Sequence, residues 1–203
     1  MSRLNVNKTY KIFIGGKFPR TESGRYYAVH DKNDRLLANM CLSSRKDFRN
    51  AVVAARKAFE PWSGATALNR GQILYRLAEM LEGRKDQFES EIHAIGYSIA
   101  KAKEEVEAAI DRLVYYAGWS DKYQQVFSAV NPVATPHFNF SLPEPTGVVA
   151  IIAPEEQGLL GLISALAPVI VGGNTAVLLA SESHPLSSIS FAEIVHTSDV
   201  PAG

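Results

Sequence analysis

Two adjacent carboxylates, Glu155 and Glu156, interrupt the otherwise apolar stretch AIIAPEEQGLLGL over residues 150–162. Paired carboxylates can serve as general acid and base, as in glycoside hydrolysis, when their surroundings split their pKa values. Here the neighbours in sequence point in different directions, and no third group accompanies them to separate their roles. A plainer role also fits. Carboxylates in the first turn of a helix complement its dipole, by roughly 0.3–1 kcal/mol each, and occupy a place where a free helix N-terminus attracts phosphate. Both glutamates are therefore expected to serve the start of the following helix, and neither is expected to catalyse.

Other chemically capable side chains are weaker candidates. Cys41 is the sole cysteine, set in LLANMCLSS at the end of a short apolar run. A nucleophilic thiol needs a neighbour that lowers its pKa. None is evident, so Cys41 reads as a small packing residue. His93, His137, His184 and His196 show no metal-ligand spacing, and no metal site is expected. Tyr115, Tyr116 and Trp119 recur at helical spacing, which favours packing over a ligand box. Gly15, Gly16, Gly172 and Gly173 read as turn and helix-end glycines, and none begins a G-x-G-x-x-G phosphate loop.

The elements that must carry these residues divide the chain by texture. Residues 10–42 read as a β arm: a strand over 10–14, a Gly15-Gly16 turn returning through Lys17 and Phe18, then strands near 26–29 and 36–41. Residues 44–127 read as helices. Ser44 caps the first, with Phe48, Val52, Ala55 and Phe59 as its apolar stripe and Pro61 as its stop. The second carries Ile73, Leu74, Leu77, Met80 and Leu81 and closes at Gly83. A third covers about 85–95, and a fourth about 102–125 with Val106, Ile110, Leu113, Val114 and Ala117 on one face. Residues 130–146 form a proline-broken crossing in which 137–142 alternate as a half-exposed strand. From residue 147 the pattern changes to an apolar strand over 147–152 of the type buried on both faces, a helix over 159–171, a second buried strand over 175–179 and a helix from 187. This β-α-β-α order opens a doubly wound parallel sheet. The fold class is thus α/β, an incomplete Rossmann-like sheet preceded by a helical bundle and a small β-hairpin arm, as a single region over 1–203.

Composition narrows the function classes. The 203 residues are 46% hydrophobic and 21% charged with a formal net charge of zero, an ordinary globular balance without a basic footprint for nucleic acid or an anionic membrane. With no leader pattern and one cysteine, the expected compartment is the cytoplasm.

Taken together, FIGGKF, AVVAARKAFEPWSGATALNRGQILYRLAEMLEGRKDQFE, YYAGWSDKY, EPTGVVAIIAP, LAPVIVGGNTAVLLASESHPLS and SDVPAG resemble, in order and spacing, the N-terminal part of the aldehyde dehydrogenase superfamily. The resemblance implies NAD(P)-dependent oxidation of an aldehyde through a cysteine nucleophile and a glutamate base. Both belong to a later part of the family's sequence, and Cys41 falls where the family has no catalytic residue. It further implies cofactor contacts at Ile152, Ala153, Pro154, Ser181 and Glu182. Two positions depart from the family pattern. Where the family has Pro-Trp-Asn, Pro154 is followed by Glu155 and Glu156, so Glu156 stands at the position of the oxyanion-binding asparagine. An ionised carboxylate has only acceptors and repels developing negative charge. Leu179 stands where the family has a ribose-contacting lysine.

These departures resemble the non-catalytic second unit of family-16-type aldehyde dehydrogenases. Catalytic residues are therefore expected to be absent and NAD(P) binding weak or absent. The function implied is a non-catalytic partner or assembly module. The alternatives are a truncated part of an NAD(P)-dependent aldehyde dehydrogenase and a nucleotide-binding regulatory module. Two parallel strands alone leave apolar faces and open edges, and in the family the strand matching 137–142 joins an oligomerisation sheet. The expected partners are a second copy of the chain or a complete aldehyde dehydrogenase, with neither nucleic acid nor membrane.

Overall fold

The structure, a computed structural model, describes residues 7–203; residues 1–6, part of the segment read as carrying no leader, lie outside the described residues. The arm is a three-stranded sheet in the order β1-β3-β2: β1 (Thr9–Tyr10), β2 (Tyr26–His30) and β3 (Leu36–Cys41), with β1 parallel and β2 antiparallel to β3. The strand expected over 10–14 is therefore shorter than its sequence suggests. Gly15 and Gly16 do make the turn, at φ of 59° and 69°, yet only Ile14 and Lys17 bridge across it. Phe13 and Phe18 pack on the His196 ring instead, with centroids 6.3 and 5.4 Å away. Side-chain packing replaces the expected strand pairing.

Helix α1 (Arg45–Ser63) begins with a reciprocal capping box between Ser44 and Asp47. Its buried face is Asp47, Ala55, Ala58 and Trp62. The stripe expected from Phe48 is thus shifted, and Phe48 is 56% exposed. The shift follows from two anchors: Thr21 donates to Asp47 at 2.6 Å, and Trp62 Nε1 donates to the Ile170 carbonyl at 3.0 Å. Pro61 does not stop the helix at once but lies in its last turn on the exposed side, and the helix ends two residues later at Ser63.

Helices α2 (Ala67–Glu82), α3 (Lys85–Ala94) and α4 (Ile99–Ala117) pack around Leu74, Leu77, Leu81, Phe88, Val106 and Leu113, all fully buried. Each such side chain contributes about 2 kcal/mol by leaving water. The fourth helix expected over 102–125 is two: α4 ends at Gly118, and α5 (Tyr123–Phe127) follows a turn. Val114, expected on the inner face, is exposed. Next, β4 (Ala129–Asn131) and β5 (Asn139–Ser141) form an antiparallel ribbon. Its β5 residues are exposed on both faces rather than half-buried, because among the described residues the main contacts of each ribbon strand are with the other.

The last unit is β6 (Val148–Ile152), α6 (Gly158–Val171), β7 (Thr175–Leu179) and α7 (Pro185–Thr197). Strands β6 and β7 pair in parallel from Val148↔Thr175 to Ile152↔Leu179. One face lies on the helical core through Val149, Ile151, Ala176 and Leu178. The other is covered at its lower end by α1, where Thr175 Oγ1 donates to the Ala55 carbonyl at 3.0 Å, and is open at its upper end. The expectation of strands buried on both faces is corrected there: Ile152 is 79% and Leu179 60% exposed. A continuous apolar run records the burial of a complete sheet, which these two strands by themselves do not supply.

The apolar helix α6 is held at both ends by the bundle. At its C-terminus Arg70 Nε donates to the Val171 carbonyl at 2.9 Å, while the rest of the buried guanidinium reaches the Ser63 and Ala65 carbonyls and the Tyr123 hydroxyl. At its N-terminus Glu105 of α4 accepts from the Leu159 and Leu160 amides at 3.0 and 3.3 Å. A carboxylate at the positive end and a guanidinium at the negative end both match the helix dipole.

Candidate functional site

The carboxyl ends of β6 and β7 mark the site, since ligands of open α/β sheets bind outside the carboxyl ends of parallel strands. The in-register pairing places Ile152 beside Leu179 and continues past the strands, with the Ala153 amide donating to the Leu179 carbonyl at 2.9 Å. Residues 152–156 and 179–184 therefore meet although they are far apart in sequence. Ala153 is buried and Pro154 exposed. The Pro154 ring occupies the space over Gly161, where an added Cβ would come within 2.1 Å of Pro154 Cγ. Gly161 is thus what allows the strand exit to lie against α6.

Glu155 leaves the helix it was expected to serve. Its carboxylate accepts from Ser181 Oγ at 2.8 Å, from the Ser183 amide at 3.0 Å, from the Glu182 amide at 3.4 Å and from Ser183 Oγ. His184 Nδ1 also meets the Glu155 carbonyl. Hydrogen bonds from the Ser183 hydroxyl and amide, then from Ser181, outweigh what desolvation there is and hold the Glu155 carboxyl down at about 2. The expected dipole role at α6 belongs instead to Glu105, 3% exposed, whose carboxyl is pushed up by burial against the pull of the Leu160 and Leu159 amides. Glu156 is exposed and makes no hydrogen bond or ion pair with a described residue.

Ser181 is almost fully buried. Besides donating to Glu155, its hydroxyl accepts from the His184 amide at 3.0 Å, tightening the turn into α7. Glu182 is exposed and lines an open cavity of about 460 Å³ with Tyr27, Ala28, Val29, His30, Glu155 and Ser183. The Tyr27 hydroxyl donates to the Glu182 carbonyl at 3.4 Å. Burial, then the charges of Glu182 and Glu155, push the Tyr27 phenol up to about 12. The cavity is acidic, with two carboxylates and no lysine or arginine in its lining.

The five positions Ile152, Ala153, Pro154, Ser181 and Glu182 thus lie along one edge. Leu179 adds an exposed apolar side chain to it. The edge offers carboxylates, hydroxyls and a phenol but no thiol, since Cys41 lies on β3 in the arm. Among the described residues no three His, Cys, Asp or Glu side chains group as a metal site, and no helix is long and apolar enough to cross a membrane. Tyr115 packs on Tyr116 and on Trp119, and Trp119 stacks on Phe127, with centroids 5.2–6.5 Å apart, although Tyr115 remains exposed. Three participants escaped the sequence reading, Ser183 among them, which only the 181–184 turn brings to Glu155. Tyr27 gave no signal. Glu105 gave one: it is the carboxylate within the inward stripe of α4 at positions 102, 105, 106, 109, 110 and 113.

Residues 18–203 match the aldehyde dehydrogenase family. The cytosolic 10-formyltetrahydrofolate dehydrogenase of Mus musculus is 32% identical over all of this chain and 23% of its own length. An aldehyde dehydrogenase of Aspergillus niger is 33% identical over 95% of this chain and 39% of its own length. An aldehyde dehydrogenase from Bacillus cereus, solved as an NAD+ complex, superposes on 96% of this chain and 40% of its own, with a TM-score of 0.90 at 28% identity. The chain therefore spans well under half the length of these relatives.

Proposed function

The chain belongs to the aldehyde dehydrogenase family, and on that premise we propose that it is a non-catalytic, assembly-competent unit of that fold. The observation that carries this reading is the pair at the strand exit. An acyl-transfer or aldehyde site needs donors aimed at an oxyanion. Here Glu156 presents only acceptors to solvent, and Glu155 is committed to the 181–183 loop. With Leu179 in place of a cation, the edge is poorly suited to the negative charge of NAD(P). Cofactor contact at Ile152, Ala153, Pro154, Ser181 and Glu182 is accordingly weak or absent in the chain as it stands.

The assembly role is supported by the ribbon of β4 and β5, which displays Phe138, Phe140 and Val130 to solvent, and by the open face at Ile152 and Leu179. Scattered exposed apolar residues are ordinary, but a contiguous group marks an interaction surface. A second copy or a complete aldehyde dehydrogenase in the cytoplasm is the proposed partner. The test is to assay the purified chain with NAD+ and NADP+ over a panel of aldehydes, following reduced cofactor, and to examine co-elution with a complete aldehyde dehydrogenase. No turnover with stable co-elution fits the reading. Turnover by the chain alone sinks it.

A second reading, that the chain is one piece of a working NAD(P)-dependent aldehyde dehydrogenase, is favoured by its coverage of only 22–40% of its relatives. Fusion to the remaining part of a relative separates the two: activity that appears without changing Glu155, Glu156 or Leu179 supports the second.

A further inference from the structure

Two sets of backbone amides at the carboxyl edge of the sheet, the first of α6 and those of the turn before α7, are occupied by carboxylates of the chain itself. Glu105 takes the first amides of α6. Glu155 takes the Glu182 and Ser183 amides in the turn leading into α7, together with the Ser181 and Ser183 hydroxyls. The two differ in one respect. Glu105 is buried in the core and comes from a neighbouring helix, so it is part of the fold. Glu155 is exposed, sits on the strand exit and borders the open cavity. Amides and hydroxyls in the loop after a parallel strand are donors of the kind by which such an edge holds a nucleotide. In this chain those donors on residues 181–183 already have an acceptor.

We infer that Glu155 is a built-in competitor: its carboxylate occupies the donors of residues 181–183 and keeps NAD(P) off the carboxyl edge of β6 and β7. The inference rests on the reading of weak cofactor binding given above and assigns that weakness to one residue. Two effects act together. The tethered carboxylate is present at high effective concentration, so a ligand needing the same donors meets only the fraction of molecules in which the loop is free. Its charge, added to that of Glu182, also repels phosphate across the cavity.

The test is calorimetric titration of NAD+ into the 203-residue chain, into Glu155→Gln and Glu155→Ala, and into the remote control Glu144→Gln. Folding is checked by circular dichroism and melting temperature. The inference expects negligible binding by the chain and the control, affinity roughly tenfold or more tighter in Glu155→Ala, and a smaller gain in Glu155→Gln, which loses the charge but keeps an acceptor for the loop. Hydrogen exchange at the Ser183 and Glu182 amides should accelerate in free Glu155→Ala and slow again with NAD+. Folded Glu155 variants that bind no better than the control overturn the inference and leave the weak-binding reading standing. Micromolar binding by the unaltered chain overturns that reading and the inference with it. Failure of both variants to fold makes Glu155 a structural residue, which also overturns the inference.

Discussion

The Glu105 carboxylate of α4 lies 3.0 Å from the Leu159 amide of α6, which makes a buried acid of the helical bundle the cap of the first helix in the nucleotide-type unit. The group is costly to keep ionised. Burial raises its pKa above the ordinary carboxylate value, so folding favours its protonated form. Its contribution to stability is therefore fully present below the unfolded pKa of about 4.5 and is lost as pH rises through the raised folded value. Glu105→Gln, which keeps an acceptor and removes the charge, should flatten this loss in urea melts taken from pH 4 to pH 7. Glu105→Ala should cost about 2–3 kcal/mol by leaving two amides unpartnered.

Asp47 behaves with the opposite sign. Burial alone would raise its pKa, but hydrogen bonds from Thr21 Oγ1, the Ser44 amide, the Glu22 amide and the Ser44 hydroxyl outweigh it and hold the group at about 2. Its stabilisation is present above the unfolded pKa of 3.8 and disappears as pH falls toward 2, amounting to about 1–2 kcal/mol after allowance for solvent screening. Asp47→Ala should lower the denaturation midpoint at pH 7 and remove most of this acid dependence.

Arg70 joins α1, α2, α5 and the end of α6 through one buried guanidinium. Arg70→Met strands several carbonyls and should destabilise the chain by about 3 kcal/mol in chemical denaturation. Arg70→Lys should recover only part of that, because an ammonium cannot reproduce the planar fork.

Gly161 and Pro154 should be energetically coupled. Gly161→Ala places a methyl within 2.1 Å of the Pro154 ring and should cost about 1–3 kcal/mol. Pro154→Ala removes the clash, so the double variant should be more stable than the two single effects added together. Additive behaviour in the cycle would mean that the strand exit moves freely.

The ribbon tests the proposed assembly. Phe138 is 75% exposed and its ring lies 5.4 Å from that of Phe140. Replacing both with serine should leave the melting temperature nearly unchanged, since neither side chain is buried in the chain. In sedimentation velocity it should shift any oligomer toward monomer, and unchanged sedimentation would remove the ribbon from the interface.

Much of this architecture was legible in residue order. The stripe Leu74, Leu77 and Leu81 predicts the buried face of α2, Ser44 predicts the start of α1, and the runs at 147–152 and 175–179 predict the parallel pair, because each rests on local period and capping. The misreadings have a common cause. Phe48 has an inward period but lies outward, since Thr21 and Ile170 fix the rotation of α1 through Asp47 and Trp62. Residues 10–14 have strand character but pair by a single bridge, since Phe13 and Phe18 find His196.

At the candidate site, the sequence by itself determined which groups are present: Glu155 and Glu156 after Pro154, Leu179 before Ser181 and Glu182, and a lone cysteine far from them in the chain. Only the tertiary structure decided what each carboxylate does. Glu155 turns from α6 to residues 181–183 because parallel pairing brings that loop beside it, and α6 no longer needs it because Glu105 arrives from a helix some fifty residues earlier in the chain. Hydrogen bonds between distant segments depend on where the backbone carries them, and local pattern carries no record of that meeting.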